Sequence, residues 1–231
     1  MTDRETSFFH RYRYAIVLVA SLLLAVAQPL LSGLMGETGS FDLLFSLLIV
    51  AVLFQVFEES RLRRIALSLG VAVFCGYWMG RSISGSLGHG LVIGAQLTAT
   101  SFFALALYSI LTGIFTRPGS RDAVFGAICG YLLLGVIGSL LFFAVETAWP
   151  GSFHPPVPSG DYGQEGELDR GVLTYFSFIT MTTVGYGDIT PATRLARTLT
   201  WIVAVAGQLY LAILVAGLVG FRISRAVDGT S

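Results

Sequence analysis

Seven consecutive residues, Thr182-Thr183-Val184-Gly185-Tyr186-Gly187-Asp188, restrict this chain more than any other segment. Glycines at 185 and 187 alternate with residues that carry side chains. For successive carbonyls to face one axis, alternate residues must visit left-handed φ, and only glycine does so cheaply. Val184 and Tyr186 then point away from that axis and pack behind the strand. Thr183 adds its hydroxyl at the inner end. A cation leaving water needs oxygen dipoles at distances close to those of its hydration shell. Stacked carbonyl rings, one strand from each of four chains, meet that need for K⁺, with Thr183, Val184, Gly185 and Tyr186 as the coordinating residues and Gly187 completing the strand. One strand supplies a quarter of a ring. The expected partners are therefore three further copies of the chain, in a homotetramer or a mixed tetramer of similar chains.

Composition gives such a strand its setting. The 231 residues are 54% hydrophobic and 12% charged, with a mean hydropathy of +0.75, which is the profile of a membrane protein. Fourteen basic and 14 acidic residues cancel, so no electrostatic case for nucleic acid exists. Cys75 and Cys129 lie in apolar stretches and read as small buried hydrophobes. His10, His89 and His154 are scattered over different loops without ligand spacing. The expectation is no catalysis of covalent chemistry and no cofactor, with K⁺ as the permeant ion and membrane lipid as the surroundings.

A membrane-spanning helix needs roughly 20 mostly apolar residues. Tyr14–Met35, Phe41–Phe57, Leu62–Met79, Leu91–Phe115, Ala123–Ala148 and Leu195–Phe221 qualify, the second and third being short. The first is too long for a signal-peptide core and reads as a retained span. The uncharged stretch Ser82–Thr116 is too long for one helix, so Gly88-His89-Gly90 is the expected turn into the fourth span. Six alternating helices with a cytoplasmic N-terminus put ten arginines inside and Arg81, Arg170, Arg194 and Arg197 outside, in keeping with the positive-inside rule. The expected organisation is a cytoplasmic tail over 1–13, a four-helix domain over 14–116 and a two-helix module over 122–222. A short cytoplasmic tail over 223–231 follows. Within the module, 123–148 is the outer helix and 149–170 a proline-rich irregular turret with Asp161, Glu165, Glu167 and Asp169 at the mouth. Residues 171–182 are a short re-entrant helix N-capped by Asp169, 183–187 the filter strand and 195–221 the inner helix. The helix C-terminus aims partial negative charge at the centre, favouring a cation. With tails this short, no cytosolic regulatory domain is expected in this chain.

With those residues in view, Thr180–Pro191 (TMTTVGYGDITP) resembles the potassium-channel superfamily, and 123–221 resembles its two-helix pore module. The first 120 residues match only in helix count, the six-helix layout of voltage-gated channels. The resemblance implies an all-α, multi-pass protein of the plasma (cell inner) membrane with a K⁺-selective filter at Thr183–Gly187, braced by Thr182, Asp188 and Tyr175. Tyr175 lies thirteen residues before Asp188, where related channels often carry a Trp that bonds the filter Asp. Ile179 replaces the Glu that pairs with this Asp in some prokaryotic channels. Gly207, nineteen residues after Asp188, aligns with an inner-helix hinge glycine, close helix packing being the other reading. Gln208 lines the cavity below the filter or bonds between helices. Leu211, Val215 and Val219 continue the cavity towards a hydrophobic gate near Phe221. Glu146 reads as an interfacial residue that could also help brace the filter. One departure stands out. Leu91–Phe115 contains no Arg, whereas a voltage sensor needs several, each worth about 2.3 kcal/mol per 100 mV. The first four helices therefore read as a sensor-less domain with weak or no voltage response. The alternatives are a poorly selective cation channel, which usually lacks the filter Tyr, and the ion-translocating subunit of a potassium transport system, which carries four degenerate loops.

Overall fold

A computed structural model describes residues 13–35, 37–55, 60–83, 85–116, 121–154 and 168–228. It is helical over most of its length. In chain order the elements are α1 (Arg13–Met35), α2 (Glu37–Gln55), α3 (Ser60–Ser82), α4 (Ser86–Thr116), α5 (Arg121–Ala148), β1 (Phe153–His154), α6 (Arg170–Met181), β2 (Thr190–Pro191) and α7 (Arg194–Asp228). By length and composition, Leu87–Thr116, Ala123–Ala148 and Arg194–Leu214 suffice to cross a membrane, with shorter apolar stretches at Tyr14–Leu24 and Phe41–Leu53.

α5 organises the molecule because it belongs to both cores. On its inner half Cys129, Leu133 and Val136 join Val17 of α1, Leu48 and Val52 of α2, Val73 of α3, and Phe102, Phe103 and Ile110 of α4. On its outer half Phe142 and Val145 join Phe153, Leu173, Phe176, Met181 and Val203 in a second core. Phe142, Phe153 and Phe176 form an aromatic triangle with ring centroids 5.2–5.5 Å apart. Tilted ring contacts of this kind stabilise beyond the area they bury. The triangle fixes β1 and α6 on the outer end of α5.

Three local expectations change. One 31-residue helix, α4, runs through Ser86–Thr116, so Gly88-His89-Gly90 is helical and the described chain bends before it, at Ile83 and at Gly85, the latter with φ +94°. Gly88 serves packing instead, since a Cβ there would meet the Gly80 carbonyl oxygen at 3.0 Å, whereas one at Gly90 would meet nothing within 4 Å. His89 and His154 accordingly sit in α4 and β1, not in loops. The segment after Ala148 is also not wholly irregular, because β1 pairs antiparallel with β2, Phe153 opposite Pro191 and His154 opposite Thr190. Asp161, Glu165 and Glu167 lie outside the described residues, as do His10 and the tail before Arg13. α7 continues past Phe221 to Asp228.

Candidate functional site

α6 is a 12-residue helix, about 18 Å long. Asp169 starts it: its Oδ1 accepts from the Val172 amide at 2.7 Å, an N-cap. Its flanks are tied to α5 by polar contacts. The Ser177 hydroxyl donates to the Gly135 carbonyl at 2.7 Å, and the Ser139 and Thr174 hydroxyls are 2.7 Å apart.

The chain beyond α6 supplies the amides that its last carbonyls lack. Thr182 N–H donates to Phe178 O at 3.0 Å and Thr183 N–H to Thr180 O at 3.0 Å. Val184 and Gly185 N–H both donate to Ile179 O, at 2.9 and 3.2 Å. A trans peptide holds its C=O antiparallel to its N–H, and there are no cis bonds among the described residues. The Thr183 and Val184 carbonyls therefore face away from α6. Left-handed φ recurs at every second residue: Thr183 +61°, Gly185 +49° and Gly187 +78°. Residues 182–187 are all exposed. Val184 and Tyr186 do not pack behind the strand against the described residues, being 50% and 73% exposed.

At the outer end, the Tyr175 hydroxyl donates to Asp188 Oδ2 at 2.6 Å, and the Ile189 amide donates to Asp188 Oδ1 at 3.0 Å. Glu146 acts on the adjoining turn: its two carboxylate oxygens accept from the Gly151 and Phe153 amides at 2.7 and 3.0 Å. That anchors β1, and through β1 the β2 strand that follows Ile189. Arg197 Nε donates to the Pro191 carbonyl at 3.1 Å from the first turn of α7.

At the inner end, Gly207 lies against Met181. A Cβ there would reach Met181 O at 2.7 Å and collide with the Met181 side chain. Close packing of α7 on α6 is thus what this glycine provides. Gln208 Nε2 donates to the same Met181 carbonyl at 3.2 Å, an interhelical bond from a residue that is itself exposed. Leu211 is 38% exposed. Val215 and Val219 fall within α7, but their side chains lie outside those described. Thr182 caps α6, and its hydroxyl donates to Phe178 O at 2.7 Å.

Two residues gain roles beyond the sequence reading. Glu146 braces the turn into β1 rather than standing as a plain interfacial charge. Arg170, assigned only an outward position, is largely buried and paired with Asp42. An acid at the second position of the apolar run Phe41–Phe57 was the available signal for that pair. Among the described residues no group of three or more His, Cys, Asp or Glu is placed to hold a metal.

A short helix whose C-terminal carbonyls hold an exposed strand, flanked by two membrane-length helices, is the architecture of a pore module. Residues 126–221 match the family model described as an ion channel, a match that covers the two-helix module and supports its kinship with the potassium-channel superfamily. No curated protein and no solved structure matches the chain.

Proposed function

We propose that four copies of this chain surround one axis and conduct K⁺ passively across the plasma membrane through Thr183–Gly187. The observation that carries this reading is the strand itself. Its amides at 184 and 185 are committed to Ile179 O, and its carbonyls at 183 and 184 are turned from the chain on an exposed face. Backbone in that state is tolerated at membrane depth only where it is buried in protein or lines an ion path. Dehydrated K⁺ would exchange water oxygens for these carbonyls and the Thr183 hydroxyl, and would leave because successive sites are equivalent and close.

The four-copy reading draws on α7. Of its membrane-length window 11% is buried, against 61% for α5. Trp201, Ile202, Val205, Leu209 and Ile213 remain exposed along it. Four α7 helices around the axis would cover that face and give Tyr186 and Val184 a neighbouring chain to rest on. In the same reading α1, α2 and α3, at 23, 19 and 23 residues, complete six spans with both termini cytoplasmic. α4 carries no Arg, so opening responds weakly to voltage.

Reconstitution of the purified chain in liposomes tests the reading, with K⁺ or Na⁺ gradients and an imposed voltage. The expected result is K⁺ flux with little Na⁺ flux. Equal fluxes would favour a poorly selective cation channel, and no flux of either ion would overturn the reading.

A further inference from the structure

Arg170 is the first residue of α6, and the proposed conduction path makes no use of it. A cation there faces the positive end of the helix dipole. The side chain is nevertheless 14% exposed and gripped by three other helices. Its Nη1 donates to Asp42 Oδ1 of α2 at 3.1 Å and to the Tyr77 hydroxyl of α3. Its guanidinium carbon lies 4.1 Å from the Tyr77 ring centroid, 4.7 Å from that of Phe143 on α5 and 5.5 Å from that of Phe41 on α2. Asp42 is itself 21% exposed. Taking a charge out of water is costly unless it is paired and hydrogen-bonded, and removing one partner strands the other. A membrane-anchoring arginine would keep its head in water and bear none of that cost. The planar fork that reaches a carboxylate and a phenol while stacking on rings is a property of Arg that Lys does not share.

We propose that Arg170 is a positioning residue through which α2 and α3 set the seat of α6, and with it the order of the Thr183–Gly187 strand. This gives the first four helices a task that needs no charged sensor. The path is short and made of stiff parts. Arg170 and the Asp169 cap fix one end of α6. At the other end, about 18 Å away, the Phe178, Ile179 and Thr180 carbonyls hold the amides of residues 182–185. A tilt or slide at Arg170 therefore moves the carbonyls on which the strand hangs. The consequence for conduction rests on the function proposed above; the positional link does not.

The test uses the full chain in nanodiscs and vesicles. Asp42→Asn removes the charge, and Tyr77→Phe the hydroxyl, that faces Arg170 while each keeps side-chain shape, and unchanged exchange in α4 is the check that the fold is intact in both. Hydrogen exchange is read at the amides of residues 182–185, with α4 as internal control. Each variant is expected to speed exchange at 182–185 by about tenfold, the size of one lost charge-assisted hydrogen bond. Adding Arg170→Gln to Asp42→Asn is expected to bring little more, since both act on one contact. A merely structural role would loosen residues around 42, 77 and 170 and leave 182–185 as in wild type; that result would overturn the proposal. Wild-type K⁺ flux is measured in parallel. An exchange response without wild-type flux removes the proposed function and keeps the positioning role, and flux without an exchange response does the reverse.

Discussion

At Thr183 the chain holds a β-branched residue at φ +61°, where an L side chain costs roughly 1–2 kcal/mol. Its hydroxyl donates to Thr182 O at 2.6 Å, which offsets part of that cost locally. Glycine at 185 and 187 carries no such penalty. A Cβ at Gly185 would meet nothing of its own chain within 4 Å, so the objection to alanine there is backbone strain and not a clash. Gly185→Ala is expected to abolish K⁺ preference, because roughly 1–2 kcal/mol falls on each of four strands at once. The K⁺/Na⁺ reversal potential reads it, and an unchanged ratio would place selectivity elsewhere. Tyr175→Phe removes the only hydroxyl donor described on Asp188 Oδ2 and is expected to speed decay of the open state. Single-channel dwell times equal to wild type would count against that role. Both positions were legible in the sequence, since glycine alternation and a thirteen-residue spacing are local signals. Arg170 and Asp42 stand 128 residues apart. No local pattern joins two such residues; only the folded path of α2 beside α6 does.

At the scale of elements, α6 is held by its caps, by hydroxyl bonds, by the Phe142–Phe153–Phe176 triangle and by tight contacts at Gly135, Gly138 and Gly207 rather than by length. Gly207 is the point where α7 reaches it. Gly207→Ala pushes a methyl into Met181, and overpacking of this kind costs about 1–3 kcal/mol per chain. The variant is expected to lower the thermal midpoint of the assembled protein in detergent, with Gln208 also losing its bond to Met181 O. A hinge glycine with free space around it would accept alanine without that loss, so an unchanged midpoint would restore the hinge reading. Helix positions were legible because apolar runs of this length have few other folds available to them. The start of α4 was not. Gly88-His89-Gly90 looks like a turn in sequence, but glycine in a first turn costs only about 1 kcal/mol, and close approach to α3 outweighs it. The β1–β2 pair was invisible for a different reason: two residues per strand leave no period to read.

Across the whole molecule, two features define what one chain leaves undone. Among the described residues, α7 shows an exposed apolar face, and the strand beside it turns the carbonyls of Thr183 and Val184 away from the helix that holds its amides. The expected assembly is a fourfold ring, which native mass measurement in lipid nanodiscs checks against a monomer or dimer. The expected conductance–voltage curve is shallow, because α4 offers the field no charge to move. A steep curve equivalent to several charges, and insensitive to replacement of the permeant ion, would contradict that. The exposed row 182–187 also bears on inheritance. If every ion passes through rings to which four strands each give a quarter, a single faulty strand spoils the work of three sound ones. A cell making normal and Gly185→Ala chains in equal amounts, mixing freely, would build wholly normal rings in only about one case in sixteen. The defective copy would then behave as a dominant poison, not as a silent loss.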